Sequence, residues 1–377
     1  MKHIIVLFGG NSAEHEVSVI TGLQVMESID RKRFIPYAIY LTKEGYFMFY
    51  ENLKDRKDYK NLKPKLITFG HDTKGSFFTT TSLFKRRYPV DASFLAFHGG
   101  NGESGQIQGF LDILQIPFTS PNTESSIIAM NKILTKEVVE SHGIKTIQWI
   151  QVFSLDIRER LNAEIQRILK TLVLPLIIKP VHLGSSIGIG IARTEVELKE
   201  ALLEASFIDT ELLVEPYLES FVEYNAAVRR INNVIEVSKI ERPISKDAIL
   251  SFADKYQRGE GGKTDGMATL DRELPAMITK RLEAQIIALA QTIFRIIRAK
   301  GMLRIDFVLY KDNIYLTEVN PIPGSMSFYL WEASGISFKD QITDLISQSM
   351  RDAKEQENLN LKYESDIVDR FISNKHR

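Results

Sequence analysis

Three polar side chains toward the carboxyl terminus have types and spacings that could bind a metal ion: Asp306, Glu318 and Asn320. The cationic Arg304 stands two residues before the first of them. Apolar and polar residues alternate on both sides of a polar turn at 311–313, and this period of two predicts a β-hairpin. A hairpin centred on that turn would place Asp306 opposite Glu318 and Arg304 opposite Asn320, with all four side chains on one face.

Asp306 and Glu318, as cross-strand neighbours, would have Cβ atoms about 5 Å apart. Like charges about 4 Å apart repel by about 4 kcal/mol at an effective dielectric constant of about 20, so a cation is expected between them. Two carboxylates and the amide of Asn320 are hard oxygen ligands, which Mg²⁺ uses together with substrate phosphates. The hairpin therefore predicts a magnesium-nucleotide site. The alternative is a sheet surface on which Arg304 and its neighbours form ion pairs.

The elements around the hairpin are predicted from the same periodicities. Strict alternation along the returning strand would put Ile314 and Leu316 on the same face as Glu318. A long amphipathic helix is predicted over 276–300, and its apolar stripe indicates a core-facing side. A single helix is predicted over 123–142.

A tight turn from strand to helix is predicted near the amino terminus. Residues 4–8 indicate a buried strand, the glycine pair at 9–10 permits the turn, and a helix is predicted from Ser12 onward. Glu14 has two interpretations. It forms a capping box with Asn11, or its carboxylate binds a substrate ammonium at the carboxyl end of a parallel strand.

Two glycine-containing loops could approach the phosphates of a ligand. The loop 98–105 follows a predicted strand at 92–97 and lacks the Gly-Lys-Ser/Thr of a Walker loop. Its first residue, His98, either binds a ligand or only hydrogen-bonds the loop backbone. The loop 180–186 joins two predicted strands, and its amides and hydroxyls could surround phosphate oxygens. Lys179 ends the strand before it, and a buried lysine requires an anionic partner.

Two further segments carry candidate residues. Glu215 lies in an otherwise apolar strand predicted over 212–217. The stretch 247–267 is rich in Gly, Lys, Asp and Ser and contains Lys255 and Tyr256. A loop of this length is typical of a lid over a site or of a disordered segment, and we expect a lid.

The composition limits the class of protein. The 377 residues suffice for two or three domains, and 44% hydrophobic with 25% charged residues is ordinary for globular proteins. The formal net charge of zero favours neither nucleic acid nor a membrane surface as a partner. The absence of cysteine excludes disulfides, thiolate nucleophiles and cysteine-bound zinc. The first apolar run is too short for a signal peptide or a membrane span, so we expect a cytoplasmic protein.

Taken together, the motifs give the chain a specific family resemblance. From Ile4 to about Ile346 it resembles the D-alanine:D-alanine ligases of the ATP-grasp superfamily. The motifs occur in the family's order and are SAEHEVS at Ser12, HGGNGESGQIQG at His98, Asn131-Lys132, IIKP followed by GSSIG, VEPY at Val214, Lys255-Tyr256, RIDF and TEVNPIPG.

The resemblance implies an α/β and α+β architecture. An ATP-grasp fold would follow an amino-terminal Rossmann-like domain with a parallel sheet. The implied boundaries are 1–121 for the Rossmann-like substrate domain, 122–216 for the central ATP-grasp subdomain, 217–350 for the carboxyl-terminal subdomain with the metal site, and 351–377 for a polar tail.

The resemblance also implies four groups of site residues. ATP would be bound by Lys132, Lys179, Ser186, Glu215, Leu218 and Glu223. Two Mg²⁺ ions, with Mn²⁺ as a substitute, would be held by Asp306, Glu318 and Asn320. The catalytic set would be Glu14, Ser185, Tyr256, Arg304 and Gly324. Substrate binding would fall to His98 and Lys255.

Within these groups the resemblance implies individual roles. The two lysines at 132 and 179 would contact the nucleotide phosphates, Glu215 and Leu218 the adenine edge, and Glu223 the ribose hydroxyls. Arg304 would stabilise the transferred phosphoryl group and the tetrahedral intermediate. Glu14, Ser185 and Tyr256 would form a hydrogen-bonded trio that places the first amino acid and closes the lid.

The implied reaction joins two small amino acids. ATP phosphorylates the carboxylate of the first, the amine of the second attacks the acyl phosphate, and phosphate leaves. The expected product is D-alanyl-D-alanine for peptidoglycan synthesis, made by a protein that, like many in the family, is a homodimer.

Two departures from the family's pattern keep alternatives open. Ser104 stands where the family usually has Asp, and the segment 325–331, which in the family helps to bind the second amino acid, is several residues shorter than usual. One alternative is a related ligase that joins other amino acids or amines. Another is an inactive ATP-binding module with a regulatory role, against which the intact Lys, Glu and Asn set argues.

Overall fold

The structure is a computed structural model that describes residues 1–81, 85–244, 272–358 and 365–373. The lid predicted over 247–267, with Lys255 and Tyr256, lies outside the described residues.

Seven strands of the amino-terminal part form one sheet: β1 (Lys2–Gly9), β2 (Phe34–Leu41), β3 (Phe47–Tyr50), β4 (Lys65–Asp72), β5 (Gly75–Thr80), β6 (Arg87–Pro89) and β7 (Ala92–Leu95). Their order is β6-β5-β4-β3-β2-β1-β7. Strand β1 pairs in parallel with β2 and β7, as predicted for this region. The strands from β2 to β6 form antiparallel pairs that extend the sheet on one side.

Two helices follow strands of this sheet: α1 (His15–Ser28) after β1 and α2 (Gln106–Ile113) after β7. Ile4 and Phe8 are fully buried, which explains the uninterrupted apolar run in β1. Helix α1 begins three residues later than predicted, and the capping box of Asn11 and Glu14 is wrong. Glu14 is the residue before α1, and its side chain makes no capping hydrogen bond.

The central part has four helices and four strands: α3 (Thr123–Met130), α4 (Lys132–Glu140), β8 (Ile150–Phe153), α5 (Ser154–Thr171), β9 (Leu176–Pro180), β10 (Gly190–Ala192), α6 (Glu195–Ser206) and β11 (Glu211–Pro216). The strands form an antiparallel sheet in the order β10-β9-β11-β8. The single helix predicted over 123–142 is wrong, because Asn131 has an extended backbone and separates α3 from α4. Its side chain accepts a hydrogen bond from the Leu134 N–H at 2.8 Å and so caps α4.

The last part contains six strands, with a helix between the fourth and the fifth: β12 (Val222–Ile231), β13 (Val234–Val237), β14 (Arg242–Pro243), β15 (Arg272–Glu273), β16 (Met302–Tyr310) and β17 (Asn313–Asn320). Four of them form a sheet in the order β13-β12-β16-β17, and β14 pairs with β15. Four helices complete the described chain: α7 (Lys280–Ile296), α8 (Phe328–Ala333), α9 (Phe338–Glu357) and α10 (Ile367–Ser373).

Helix α7 is shorter at both ends than the predicted 276–300. Thr279 caps its first turn by accepting a hydrogen bond from the Leu282 N–H at 3.2 Å. Ile286 and Ile293 are fully buried and belong to the same apolar core as strands β16 and β17, so the predicted core-facing stripe is confirmed.

Helices α8 and α9 share an apolar core with the first sheet. Trp331 and Ile342 belong to the same apolar core as Ile4 and Phe94, although they follow the last sheet in sequence. The chain therefore returns to its amino-terminal part after β17, and the turn between β17 and α8 lies between the first and third sheets. In the described ranges, no helix has both the length and the apolar character that crossing a membrane requires.

Candidate active site

Strands β16 and β17 place the predicted metal-binding residues side by side. Arg304 pairs with Asn320 and Asp306 with Glu318, as predicted. Thr317 is then an extra residue in β17, because the next pair in the register is Phe307 with Leu316. Its hydroxyl donates a hydrogen bond to the backbone carbonyl of Asp306 at 2.8 Å and holds the bulge.

The bulge overturns the predicted orientation of the first half of β17. Leu316 is 1% exposed and packs in the core with Phe307 and Val319, as does the partly buried Ile314. Strict alternation would instead place Leu316 beside Glu318. Because Thr317 is an extra residue, side chains before it and after it alternate in opposite phase. The apolar first half of β17 therefore faces the core, and the polar second half faces the cavity.

The carboxylate of Asp306 is fixed by two neighbours. Arg304 donates from Nε and Nη2 to its two oxygens, each at 2.7 Å, and Asn320 donates from Nδ2 to Oδ2 at 3.0 Å. Burial opposes the charge of Arg304, but the adjacent Asp306 raises the pKa of Arg304 well above its ordinary value. A bidentate pair of this kind holds both groups in one orientation.

These residues fit a divalent cation that binds together with phosphates. Within the described ranges, no group of three or more His, Cys, Asp or Glu side chains could hold a metal ion by itself. The hairpin offers the carboxylates of Asp306 and Glu318 and the amide oxygen of Asn320, whose nitrogen is already bonded to Asp306. Few protein ligands, all hard oxygens, are what Mg²⁺ uses when phosphates complete its coordination.

Lys132 connects the break between α3 and α4 to the hairpin. It is the first residue of α4, and its ammonium lies 3.1 Å from Oε1 of Glu318. The same ammonium donates a hydrogen bond to the carbonyl of Leu183, in the loop after β9. The helix break therefore places a positive charge between the metal-binding hairpin and the serine loop.

A buried carboxylate, that of Glu215, forms ion pairs with two lysines near the same cavity. Glu215 on β11 accepts from Lys179 at 2.6 Å through Oε2 and from Lys136 at 2.6 Å through Oε1. Burial opposes ionisation of Glu215, but the two lysine charges outweigh it and lower the pKa of Glu215 to about 2. The anionic partner predicted for Lys179 is thus Glu215.

The loop between β9 and β10 reaches the amino-terminal part. Ser185 donates a hydrogen bond to the carboxylate of Glu14, and Ser185 and Ser186 both have positive φ values, of 51° and 61°. A Cβ atom on Gly184 would lie 2.9 Å from Oε2 of Glu14. A side chain at this position would therefore displace the carboxylate of Glu14 from its place beside the loop.

His98 is buried between helix α1 and the turn after β17. Its Nε2 lies 2.9 Å from the hydroxyl of Thr21, which accepts a hydrogen bond from the Ser325 N–H at 3.3 Å. That arrangement fits a threonine O–H that donates to the imidazole. Burial lowers the pKa of His98 to about 4, so the ring is neutral near neutral pH.

The nearby Glu103 connects the loop that begins at His98 to the segment that follows β17. Its carboxylate accepts hydrogen bonds from the backbone N–H groups of Gly99 and, at 2.7 Å, Ile322. Burial and the charge of Glu14 raise the pKa of Glu103 to about 8.

One cavity of about 590 Å³ is lined by every described residue of the predicted site: Glu14, His98, Lys132, Lys179, Ser185, Ser186, Glu215, Leu218, Glu223, Arg304, Asp306, Glu318, Asn320 and Gly324. Lys255 and Tyr256 lie outside the described residues. The arrangement can accept a polyanion between the lysines and the hairpin, and a small cation beside Glu14.

Three residues near this cavity were missed in the sequence: Thr21, Glu103 and Lys136. Lys136 could have been found, because it follows Lys132 by one helical turn and so faces the same side of α4. Glu103 stands in the motif that begins at His98. Thr21 has no signal in the sequence, since its partners are separated from it by long stretches of chain.

Comparisons with known proteins match nearly the whole chain. The family model described as D-ala D-ala ligase N-terminus matches residues 3–121, and that described as D-ala D-ala ligase C-terminus matches residues 138–347. The D-alanine–D-alanine ligase of Thermosipho melanesiensis is 32% identical over 359 residues, which are 94% of this chain and 96% of that protein.

Solved structures give the same result. The D-alanine-D-alanine ligase from Coxiella burnetii has a TM-score of 0.78 at 26% identity, covering 95% of this chain and 97% of that chain. The VanG D-Ala:D-Ser ligase from Enterococcus faecalis has a TM-score of 0.75 at 28% identity, covering 92% of this chain and 99% of that one. The chain has the ATP-grasp fold, and it belongs to the D-alanine–D-alanine ligase family.

Proposed function

We propose that the protein uses ATP to join two molecules of D-alanine into D-alanyl-D-alanine, a precursor for peptidoglycan. The observation that carries this proposal is the single cavity in which Lys132 and Lys179 lie near the hairpin carboxylates while Glu14 lies at the serine loop. The first group suits a magnesium-nucleotide, and the second suits an amino-acid ammonium. Family membership supports D-alanine as the amino acid.

The nucleotide would lie along the two antiparallel sheets. Lys132, Lys179 and Ser186 would bind its phosphates, Glu215 and Leu218 its adenine edge, and Glu223 its ribose hydroxyls. Glu223 on β12, Glu215 on β11 and the hairpin line the same cavity, which supports this placement.

Asp306, Glu318 and Asn320 would hold two Mg²⁺ ions, or Mn²⁺ in their place. When bound, the cation neutralises negative charge on the phosphates and on the transferred group. The pairing of Lys132 with Glu318 supports this site, because it shows that Glu318 already attracts a positive charge.

The first D-alanine would bind with its ammonium beside Glu14 and its carboxylate near Arg304. A carboxylate oxygen attacks the γ-phosphorus, and the bond from that phosphorus to ADP breaks. Ser185 fixes Glu14 through its hydrogen bond, and so fixes the substrate ammonium. The protein's contribution is to position the two reactants and to balance charge.

In the second step the amine of another D-alanine, after losing a proton, attacks the acyl carbon. Arg304 stabilises the oxyanion of the tetrahedral intermediate, which then expels inorganic phosphate. Gly324 and His98, which line the same cavity, would contact the second amino acid, and Tyr256 and Lys255 would close over both substrates.

We further propose that the enzyme is a cytoplasmic homodimer with domains 1–121, 122–216 and 217–350 and a polar tail at 351–377. The family resemblance supports the dimer and the domain boundaries. Light scattering coupled to size-exclusion chromatography should give twice the mass of one chain. A single-chain mass at micromolar concentration would contradict the dimer.

Product identification tests the proposed activity. The purified protein is incubated with ATP, Mg²⁺ and D-alanine alone, and in parallel with D-alanine plus D-serine or other amines. We expect D-alanyl-D-alanine as the main product by mass spectrometry, with one phosphate released per dipeptide. Strict dependence on another amine would contradict D-alanine as the second substrate.

A further inference from the structure

Glu215 has two lysine partners whose surroundings differ. Lys179 lies on β9, its side chain is 19% exposed, and it lines the cavity. The side chain of Lys136 on α4 is 2% exposed, and it also donates a hydrogen bond to the carbonyl of Ile147 at 3.3 Å. One lysine can reach a ligand in the cavity, whereas the other is enclosed by protein.

The present pairing conflicts with the separate roles proposed for Lys179 and Glu215. Lys179 would bind phosphates and Glu215 the adenine edge, yet the two are bonded to each other at 2.6 Å. A lysine ammonium is a compact charge on a flexible stem, so it can exchange one anion for another. Binding of the nucleotide would therefore draw Lys179 away from Glu215.

A buried carboxylate that lost its only cation would take up a proton. Protonated Glu215 would have one oxygen fewer to accept a hydrogen bond from the exocyclic amine of adenine. Lys136 prevents this outcome, because it binds the other oxygen and cannot follow Lys179 into the cavity. Burial lowers the pKa of Lys136, but Glu215 opposes that effect.

We infer that Lys136 is a positioning residue for nucleotide binding. It remains on Glu215 when Lys179 transfers to the phosphates, and so keeps that carboxylate charged and oriented toward adenine. This inference rests on the proposed function for the identity of the nucleotide. It assigns a task to a buried charge that the reaction itself does not use.

The test is calorimetric binding of ADP and of tripolyphosphate, which has the phosphates but no base. For Lys136→Met we expect the affinity for ADP to fall at least about tenfold more than the affinity for tripolyphosphate, which is a difference of about 1.4 kcal/mol. Both ligands draw Lys179 away from Glu215, but only ADP also needs the charged carboxylate. Lys136→Arg keeps the positive charge and should recover most of the ADP affinity. Equal losses for both ligands, or no loss for ADP, would overturn the inference.

Two controls keep the result clear. If Lys136→Met fails to fold, the double variant Lys136→Met/Glu215→Gln is used in its place, because it removes both charges of the buried pair. In the double variant the ADP affinity should match that of Glu215→Gln alone, because Lys136 acts through Glu215. A further loss in the double variant would contradict that mechanism.

The binding measurements do not depend on peptide synthesis. A protein that binds ADP as expected but makes no dipeptide would contradict the proposed function and leave the role of Lys136 intact. Unchanged ADP binding in Lys136→Met, together with normal dipeptide synthesis, would contradict the role of Lys136 and leave the proposed function intact.

Discussion

Ser185 donates a hydrogen bond to the carboxylate of Glu14, although 171 positions separate the two residues in the chain. Glu14 lies between β1 and α1 of the first sheet, and Ser185 lies in the loop between β9 and β10 of the second. The bond therefore joins two parts of the chain at the point where we place the first substrate.

Ser185→Ala tests the importance of this bond. A hydrogen bond to a charged group contributes about 1.5–3 kcal/mol, so we expect kcat/KM for D-alanine to fall roughly ten- to a hundredfold. The KM for ATP should change little. Ser141→Ala, which removes an exposed hydroxyl bonded to the Val138 carbonyl, is the control. The same kcat/KM in both variants would count against the proposed role of Ser185.

Glu318→Gln tests the metal-binding hairpin. Loss of one carboxylate weakens the binding of a cation that stabilises the transferred charge by several kcal/mol. The kcat should therefore fall by at least about a hundredfold. The fold should survive, because Glu318 faces the cavity and not the core. Asp312→Asn, in the exposed turn of the same hairpin, should keep full activity. Normal ADP production by Glu318→Gln at ordinary Mg²⁺ concentrations would rule out the metal assignment.

The bulge at Thr317 can be tested by substitution and by deletion. Thr317→Val removes the hydrogen bond to Asp306 and should lower the free energy of unfolding by about 1 kcal/mol. Thr317→Ser retains the hydroxyl and should be nearly neutral. Deletion of Thr317 should prevent stable folding, because it would turn Glu318 toward the core or Leu316 toward the cavity. A deletion variant with unaltered stability in urea would show that the bulge is dispensable.

Much of this site was predictable from local patterns. Alternation gave the pairing of Asp306 with Glu318, and order and spacing of the motifs gave the family. The bulge was not predictable, since it depends on Leu316 and Val319 both packing in one core. The break at Asn131 was also missed, because both flanking segments have helical patterns and only the cap separates them.

Contacts distant in sequence were the least predictable. The spacing of Lys136 from Lys132 places the two on one side of α4, but nothing in the sequence showed that β11 would bring Glu215 to Lys136. Nothing local showed that Trp331 would join the same apolar core as the first strand of the chain. Tertiary packing decides such contacts.

The pKa of Glu103 gives a prediction for stability against pH. Burial raises it from 4.5 to about 8, so between these values the folded state binds a proton that the unfolded state has released. The contribution to stability is complete below about pH 4.5 and is lost as the pH rises through about 8. Glu103→Gln cannot titrate, so the stability of the unaltered protein relative to this variant should fall across that range. A constant difference in unfolding free energy would contradict the raised pKa.

The central claim is that the peptide bond forms through an acyl phosphate of D-alanine. The most direct measurement uses D-alanine labelled with ¹⁸O in both carboxylate oxygens, with mass spectrometry of the dipeptide and the released phosphate. The attacking carboxylate oxygen stays on phosphorus when the amine displaces phosphate, so each phosphate should carry one ¹⁸O and each D-alanyl-D-alanine should lose one. Formation of the dipeptide with release of unlabelled phosphate would contradict the account. So would the absence of any dipeptide after incubation with the labelled D-alanine.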